Sequence, residues 1–311
     1  MPRCGPPRRR EAASACADRL ALTLAAPPAG PIRRVAYLGT PELAVPPLRA
    51  LVDAGIEVAL VVSQPDRRRG RGSGLGPSPV KAAALELDLP VTDRVDDLID
   101  ADVPLGVVVA FGRLIRPPVL AVVPMVNLHF SLLPRWRGAA PVERAILAGD
   151  DVTGVDLMAV EEGLDTGGVY RRAEVPIGPD DTLEELRDRL VQEGVQLLVD
   201  ALHEGLGEPT SQVGEPTTAA KLDGEDRHLD WSGPATTIHR QVRLGDAWTT
   251  HAGQRLKVWR THVPPVGDGP VAPAGDGLVE LVEVQPEGKA RMSGAAWANG
   301  AQWRPGQALG T

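Results

Sequence analysis

The densest run of chemically capable side chains is Asn127-Leu128-His129-Phe130-Ser131-Leu132-Leu133-Pro134-Arg135-Trp136-Arg137-Gly138. Asn127 and His129 are two positions apart, so on a strand both side chains leave the same face. Pro134 and Gly138 force a loop just beyond, and ligands of open α/β sheets bind past the carboxyl ends of the strands. An imidazole beside a carboxamide joins a proton acceptor to an oxyanion donor. The competing reading of the same residues is a packing histidine and a turn-forming asparagine. A second run, Glu161-Glu162-Gly163-Leu164-Asp165-Thr166-Gly167-Gly168, presents one carboxylate between glycines at a bend. By itself Asp165 reads equally as a surface-turn residue. Brought against His129 from another element, it would orient the ring and stabilise its charged form.

A third run, Gln64-Pro65-Asp66-Arg67-Arg68-Arg69-Gly70-Arg71-Gly72-Ser73-Gly74, ends at Lys81 after Pro77-Ser78-Pro79-Val80. Its arginines suit phosphate-backbone contact, although a solvated loop has the same composition. The run lacks the Gly-Lys-Ser/Thr end of a P-loop, and Gly39 stands alone after the first strand, so neither nucleotide fingerprint is present. No His-Glu-x-x-His, cysteine pair or close histidine pair occurs, and no metal site is expected. No nucleophile elbow occurs either.

These residues must be positioned by a chain of 311 residues, 43% hydrophobic and 24% charged, enough for two globular domains with a sizeable core. Aromatics are only 3%, so that core rests on Val, Leu, Ala and Ile. The net charge of −8 excludes a protein coated in basic charge but not a local nucleic-acid contact. The acid is concentrated: residues 1–32 carry a net +3, residues 33–225 a net −12 and residues 226–311 a net +1. Both cysteines, Cys4 and Cys16, fall in the first 32 residues, so the body has no disulfide framework. Asp18 and Arg19 interrupt the apolar run that a signal peptide would need, and the uncharged stretch from Leu20 to Ile32 is too short to span a membrane. A disordered leader over 1–32, or a start codon read too far upstream, is expected on a cytoplasmic protein.

Val35 to Leu38 reads as a first buried strand, Thr40-Pro41 as a helix start, Gly55 as its end, and Val58 to Val62 as a second strand. A strand–helix–strand unit predicts a parallel sheet, extended by Leu105–Ala110 and Met125–His129. Thr182 with Glu185 is a capping box opening a helix that Gly205 ends. Residues 205–221 read as a linker. Beyond it Val242, Trp248–Thr250, Leu256–Trp259, Leu278–Val282 and the tail to Gly310 look strand-like, which predicts a small β-barrel or sandwich after the α/β domain.

With these runs assembled, the chain after residue 32 resembles the methionyl-tRNA formyltransferases. The resemblance is carried by Leu38-Gly39-Thr40-Pro41-Glu42, Gln64 to Arg67 with Gly70-Arg71-Gly72, Pro77 to Lys81, Ala110-Phe111-Gly112, Asn127 to Pro141, Gly163 to Gly167, Asp230-Trp231-Ser232 and Leu256-Lys257-Val258-Trp259. It implies a Rossmann-like formyltransferase domain over 33–204, the linker, and a C-terminal OB-like β-barrel that binds tRNA over 222–311. It also implies formyl transfer from 10-formyltetrahydrofolate to the α-amine of methionyl initiator tRNA. By motif, Asn127, His129 and Asp165 become the catalytic triad, and Ser131, Leu132, Leu133 and Pro134 the folate-binding segment. Phe111 and Gly112 lie near the pterin, and Arg67, Arg68, Arg71 and Lys81 face the tRNA. A monomer is expected.

Two departures within this region stand out. Phe130 replaces the smaller residue frequent there and is expected to alter the wall beside His129. The segment Val242–Trp248 looks short. The rival readings are a formyltransferase for an amino-sugar nucleotide or glycinamide ribonucleotide, which would lack the arginine-glycine loop and the barrel, and a catalytically inert tRNA-binding module, which would not need all three triad residues.

Overall fold

A computed structural model describes residues 24–68, 74–304 and 306–310. The first strand, β1 (Arg34–Gly39), sends Val35 and Tyr37 to one face and Ala36 and Leu38 to the other. Both faces are covered, which is why the strand reads as a continuous apolar run rather than an alternating one. After it come a short 3-10 turn (Glu42–Ala44), α1 (Val45–Asp53), β2 (Glu57–Val62), α2 (Pro79–Glu86) and β3 (Val91–Thr92). β4 (Gly106–Val109), β5 (Met125–His129), α3 (Pro141–Ala148), β6 (Val152–Ala159), β7 (Val169–Pro176) and the long α4 (Leu183–Glu204) complete the α/β domain.

The sheet order is β7-β6-β5-β4-β1-β2-β3. β3, β2, β1, β4 and β5 run parallel, while β6 and β7 are antiparallel additions at one edge. The chain leaves β1 toward β2 and β3, then returns to the other side of β1 as β4. The order therefore reverses between β1 and β4, and a crevice opens at such a switch point beyond the strand ends. Thr40 Oγ1 donates to the Phe111 carbonyl across that crevice at 3.0 Å. Thr40 is thus not the helix cap its sequence context predicts: the 3-10 turn has no side-chain cap, and the hydroxyl is spent joining two strand ends. The capping box at Thr182 and Glu185 is present as expected.

The 205–221 segment runs along the α/β domain as more than a tether. Thr210 bridges Val169, and Thr218–Ala219 pairs with Arg137–Gly138. Then α5 (Ala235–Arg243) precedes β8 (Ala247–His251), β9 (Gln254–His262), β10 (Val271–Pro273) and β11 (Leu278–Pro286), with α6 (Gly294–Gly300) close to the end. These strands form an antiparallel sheet of order β8-β9-β11-β10, with Met292–Ser293 also paired to β11. Two expectations are corrected here. Val242 belongs to a helix, because Ile238 and Val242, four apart, share its buried face, and the tail forms α6 with only the two-residue strand Met292–Ser293 before it. The Val242–Trp248 segment is the end of α5 plus a tight turn through Gly245 and Asp246, both at positive φ.

The C-terminal unit is bonded to the α/β domain. The buried Arg243 donates to the Asp181 carbonyl at 2.6 Å and to that of Gly178 at 2.9 Å, and Arg144 forms a bidentate pair with Asp226. Among the described residues no helix is long and apolar enough to cross a membrane.

Within this unit Glu280 is 4% exposed and accepts N–H bonds from Val266, Gly267 and Gly269 at 2.9–3.0 Å, with His262 Nδ1 at 3.3 Å. Burial opposes its ionisation, but the three donors and His262 outweigh it and hold its pKa below the usual carboxylate value. The charged form therefore adds stability that is present above the unfolded-chain value of about 4.3 and is lost as pH falls through the folded value. Glu280→Gln is expected to cost about 1–3 kcal/mol. Thermal melts across the acid range should show a lower midpoint at neutral pH and a shallower acid limb than wild type.

Candidate active site

β5 alternates between the two faces of the sheet. Val126 and Leu128 enter the core beneath α4, and Asn127 and His129 leave from the opposite face. The 5%-exposed His129 ring is the last residue of the strand, at the C-terminal edge predicted for ligands. Its Nε2 lies 2.9 Å from the Trp136 carbonyl. A carbonyl can only accept, so Nε2 carries a hydrogen and Nδ1 is the nitrogen left to gain or lose a proton. Nδ1 faces Asp165 Oδ2 at 3.7 Å, beyond a direct hydrogen bond. A proton on Nδ1 is therefore attracted by the carboxylate without being consumed by it.

Asp165 sits at φ 54°, in the left-handed region that aspartate tolerates better than most residues. The Gly138 N–H donates to its Oδ2 at 2.8 Å, and the Gln212 amide donates to the Asp165 and Gly167 carbonyls at 2.9 and 2.8 Å. Gln212 Oε1 in turn accepts from the Arg137 guanidinium. Trp136 is also left-handed, at φ 65°, a costly conformation for a bulky residue. It is held there by its N–H on Thr217 Oγ1 at 2.9 Å, its indole N–H on Asp150 at 2.8 Å and its carbonyl on His129.

The 131–134 segment folds back tightly beside the strand end. Ser131 donates to the Arg135 carbonyl at 2.6 Å, and the Leu133 N–H donates to Asp156 at 2.8 Å. Ser131, Leu133 and Pro134 are buried and Leu132 half-buried. Phe111 and Gly112 follow the neighbouring strand β4. The Phe111 ring is packed in the core, so this point offers backbone rather than an aromatic face; its carbonyl accepts from Thr40 and Gln64. Gly112, at φ 72°, is exposed.

Phe130 does not line the wall beside His129 as its position suggests. Strand alternation turns its ring into the core against Gly194 of α4. The cationic residues lie apart, after β2: Arg67 and Arg68 are exposed in a short hairpin with Leu75–Gly76, and Lys81 on α2 is paired with Asp66 at 2.7 Å. Arg71 lies outside the described residues. Sequence reasoning named Trp136 only as part of a motif and missed Gln212, Asp156 and Arg172. Gln212 lies in a stretch without periodicity, and a glutamine there carries no local signal. Among the described residues no group of three or more His, Cys, Asp or Glu could hold a metal ion.

Comparison with known proteins identifies the family. The formyl transferase family profile matches residues 33–202, and the profile of the formyl transferase C-terminal domain matches 221–302. The chain thus carries both domains of a formyltransferase. A methionyl-tRNA formyltransferase of Symbiobacterium thermophilum is 41% identical over 86% of this chain and 92% of its own length. One from a Jannaschia species is 44% identical over 89% and 99%. The chain belongs to the methionyl-tRNA formyltransferase family. The crystal structure of HypX from Aquifex aeolicus in complex with tetrahydrofolic acid shares the fold, with a TM-score of 0.61 at 16% identity over 89% of this chain and 48% of that one.

Gly167 tests how tightly the Asp165 loop must fit. A Cβ there would lie 2.0 Å from the Ala159 carbonyl of β6, so any side chain must push the loop outward. Displacing a reacting group by about 1 Å can cost on the order of 100-fold in rate. Gly167→Ala is expected to lower the rate of formyl transfer at least tenfold while the far-UV circular dichroism stays that of wild type.

Proposed function

We propose that the protein transfers the formyl group of 10-formyltetrahydrofolate to the α-amine of methionyl initiator tRNA, producing N-formylmethionyl-tRNA for translation initiation. The observation that carries this reading is the meeting of His129 with Asp165 at the end of β5, within a chain 40–44% identical to methionyl-tRNA formyltransferases over nearly their whole length.

The attacking amine has a pKa of about 7.7–8.0, so a useful fraction is neutral near physiological pH. Its nitrogen bonds to the formyl carbon, and the carbonyl electrons move to oxygen. Asn127 and protonated His129 stabilise that oxyanion. Because the Trp136 carbonyl holds the proton on Nε2, the His129 proton that responds to the reaction is the one on Nδ1, beside Asp165. Asp165 orients the ring and relays the proton lost by the amine, through water, to the departing folate nitrogen as the carbon–nitrogen bond to the cofactor breaks.

In this reading Ser131, Leu132, Leu133 and Pro134 contact the folate, with the backbone at Phe111 and Gly112 near the pterin. Arg67, Arg68, Arg71 and Lys81 contact tRNA phosphates, and the C-terminal unit (222–311) is an OB-like barrel that also holds the tRNA. Lys81 would exchange Asp66 for a phosphate. In this reading the protein acts as a monomer in the cytoplasm, where charged initiator tRNA is used.

Purified protein supplied with 10-formyltetrahydrofolate and, separately, charged initiator tRNA, an amino-sugar nucleotide or glycinamide ribonucleotide tests the reading. Formylation of the tRNA is expected; transfer only to a small acceptor would overturn it. His129→Ala or Asp165→Asn should reduce kcat by about 100- to 10,000-fold. Neither should move tRNA affinity more than twofold by filter binding. Replacing Arg67 and Arg68 together with alanine should flatten the slope of log affinity against log salt by about 0.7–0.9 for each phosphate no longer neutralised.

A further inference from the structure

The register of the antiparallel edge sets His129 of β5 opposite Asp156 of β6, and Asp156 opposite Arg172 of β7. Directly opposed residues project from the same face, so the three form a row across the strands. The middle member is fully buried. Asp156 Oδ1 accepts from Arg172 Nε at 2.7 Å, and Oδ2 accepts both from Arg172 Nη2 at 2.6 Å and from the Leu133 N–H at 2.8 Å. Arg172 Nη2 also donates to the Leu133 carbonyl at 2.7 Å. The ion pair thus grips both polar backbone groups of a single residue in the loop that follows His129.

Asp156 is buried but the Arg172 side chain is 41% exposed, and such an ion pair adds little net stability over apolar groups of the same volume. An apolar pair, however, could hold neither the N–H nor the carbonyl of Leu133. We infer that Asp156 and Arg172 are positioning residues for the folate co-substrate: by clamping the Leu133 backbone to β6 and β7, they fix the 131–134 segment relative to His129. The inference rests on the proposed role of that segment as the folate contact. Without the clamp the loop keeps its brace from Ser131 to the Arg135 carbonyl but is no longer tied to the strands beside His129. The cost then falls on the folate and not on the tRNA.

The test compares wild type, Asp156→Leu/Arg172→Met, which replaces the pair by apolar groups, and Arg172→Lys, which keeps the charge beside Asp156 but cannot reach both of its oxygens and the Leu133 carbonyl. Binding of 5-formyltetrahydrofolate, an isomer of the co-substrate, is measured by calorimetry, together with KM for each substrate and the melting midpoint. The double variant should bind this probe and 10-formyltetrahydrofolate about tenfold more weakly or worse. Its KM for methionyl-tRNA should stay within twofold, and its midpoint within a few degrees. Arg172→Lys should show the same folate-specific loss at smaller size, and it carries the test should the double variant not fold. Folate affinity equal to wild type in a folded variant would overturn the clamp, as would equal losses toward both substrates. Formyl transfer by a wild-type protein whose folate contacts prove to lie away from residues 131–134 would instead overturn the role given to that segment.

Discussion

The bond on which the site depends is the one between His129 Nε2 and the Trp136 carbonyl. It fixes the plane of the ring, assigns its permanent hydrogen to one nitrogen and leaves Nδ1 turned toward Asp165. That carbonyl is available only because Trp136 is held in a left-handed conformation, which is unfavourable in isolation. Thr217 and Asp150 hold it there by hydrogen bonds. Strain at this point is thus maintained by partners outside the motif, and part of the 205–221 segment belongs to the framework of the candidate site.

The sheet supplies the rest of the geometry. Five parallel strands bring their carboxyl ends to one edge, and the order reverses between β1 and β4, whose ends are joined by Thr40 and Phe111. The two antiparallel strands continue that edge with Asp156 and Arg172, and the β6–β7 turn delivers Asp165. Several acids of residues 33–225 are paired inside this framework, Asp156 with Arg172, Asp150 with Arg135 and Asp181 with Arg189, but these arginines are already counted in the net −12, which stays unbalanced. A nearly neutral C-terminal unit and a few local cations remain for contact with a polyanion, so the sign of the total charge says little about partners.

Much of this was legible in the sequence, for identifiable reasons. Strands buried on both faces appear as uninterrupted apolar runs, which is why β1, β2, β4 and β5 were readable, and Thr182 with Glu185 marked a helix start by a purely local bond pair. Asn127 and His129 follow from period-two geometry. What failed had two causes. Thr40 had a better acceptor across the sheet than its own helix, whereas the inward turn of Phe130 and the helical spacing of Ile238 and Val242 were local patterns read wrongly. Gln212, Asp156 and Arg172 act through register and long-range bonds, which no local pattern encodes.

The central claim is that His129 and Asp165 act as one unit on one proton. Single-turnover formyl transfer by the His129→Ala/Asp165→Asn double variant tests it most directly. Groups acting as a unit are strongly non-additive. The double variant should therefore be no slower, within about threefold, than the slower single variant. A rate reduced by the product of the two single effects would show that the residues act independently and would contradict the account.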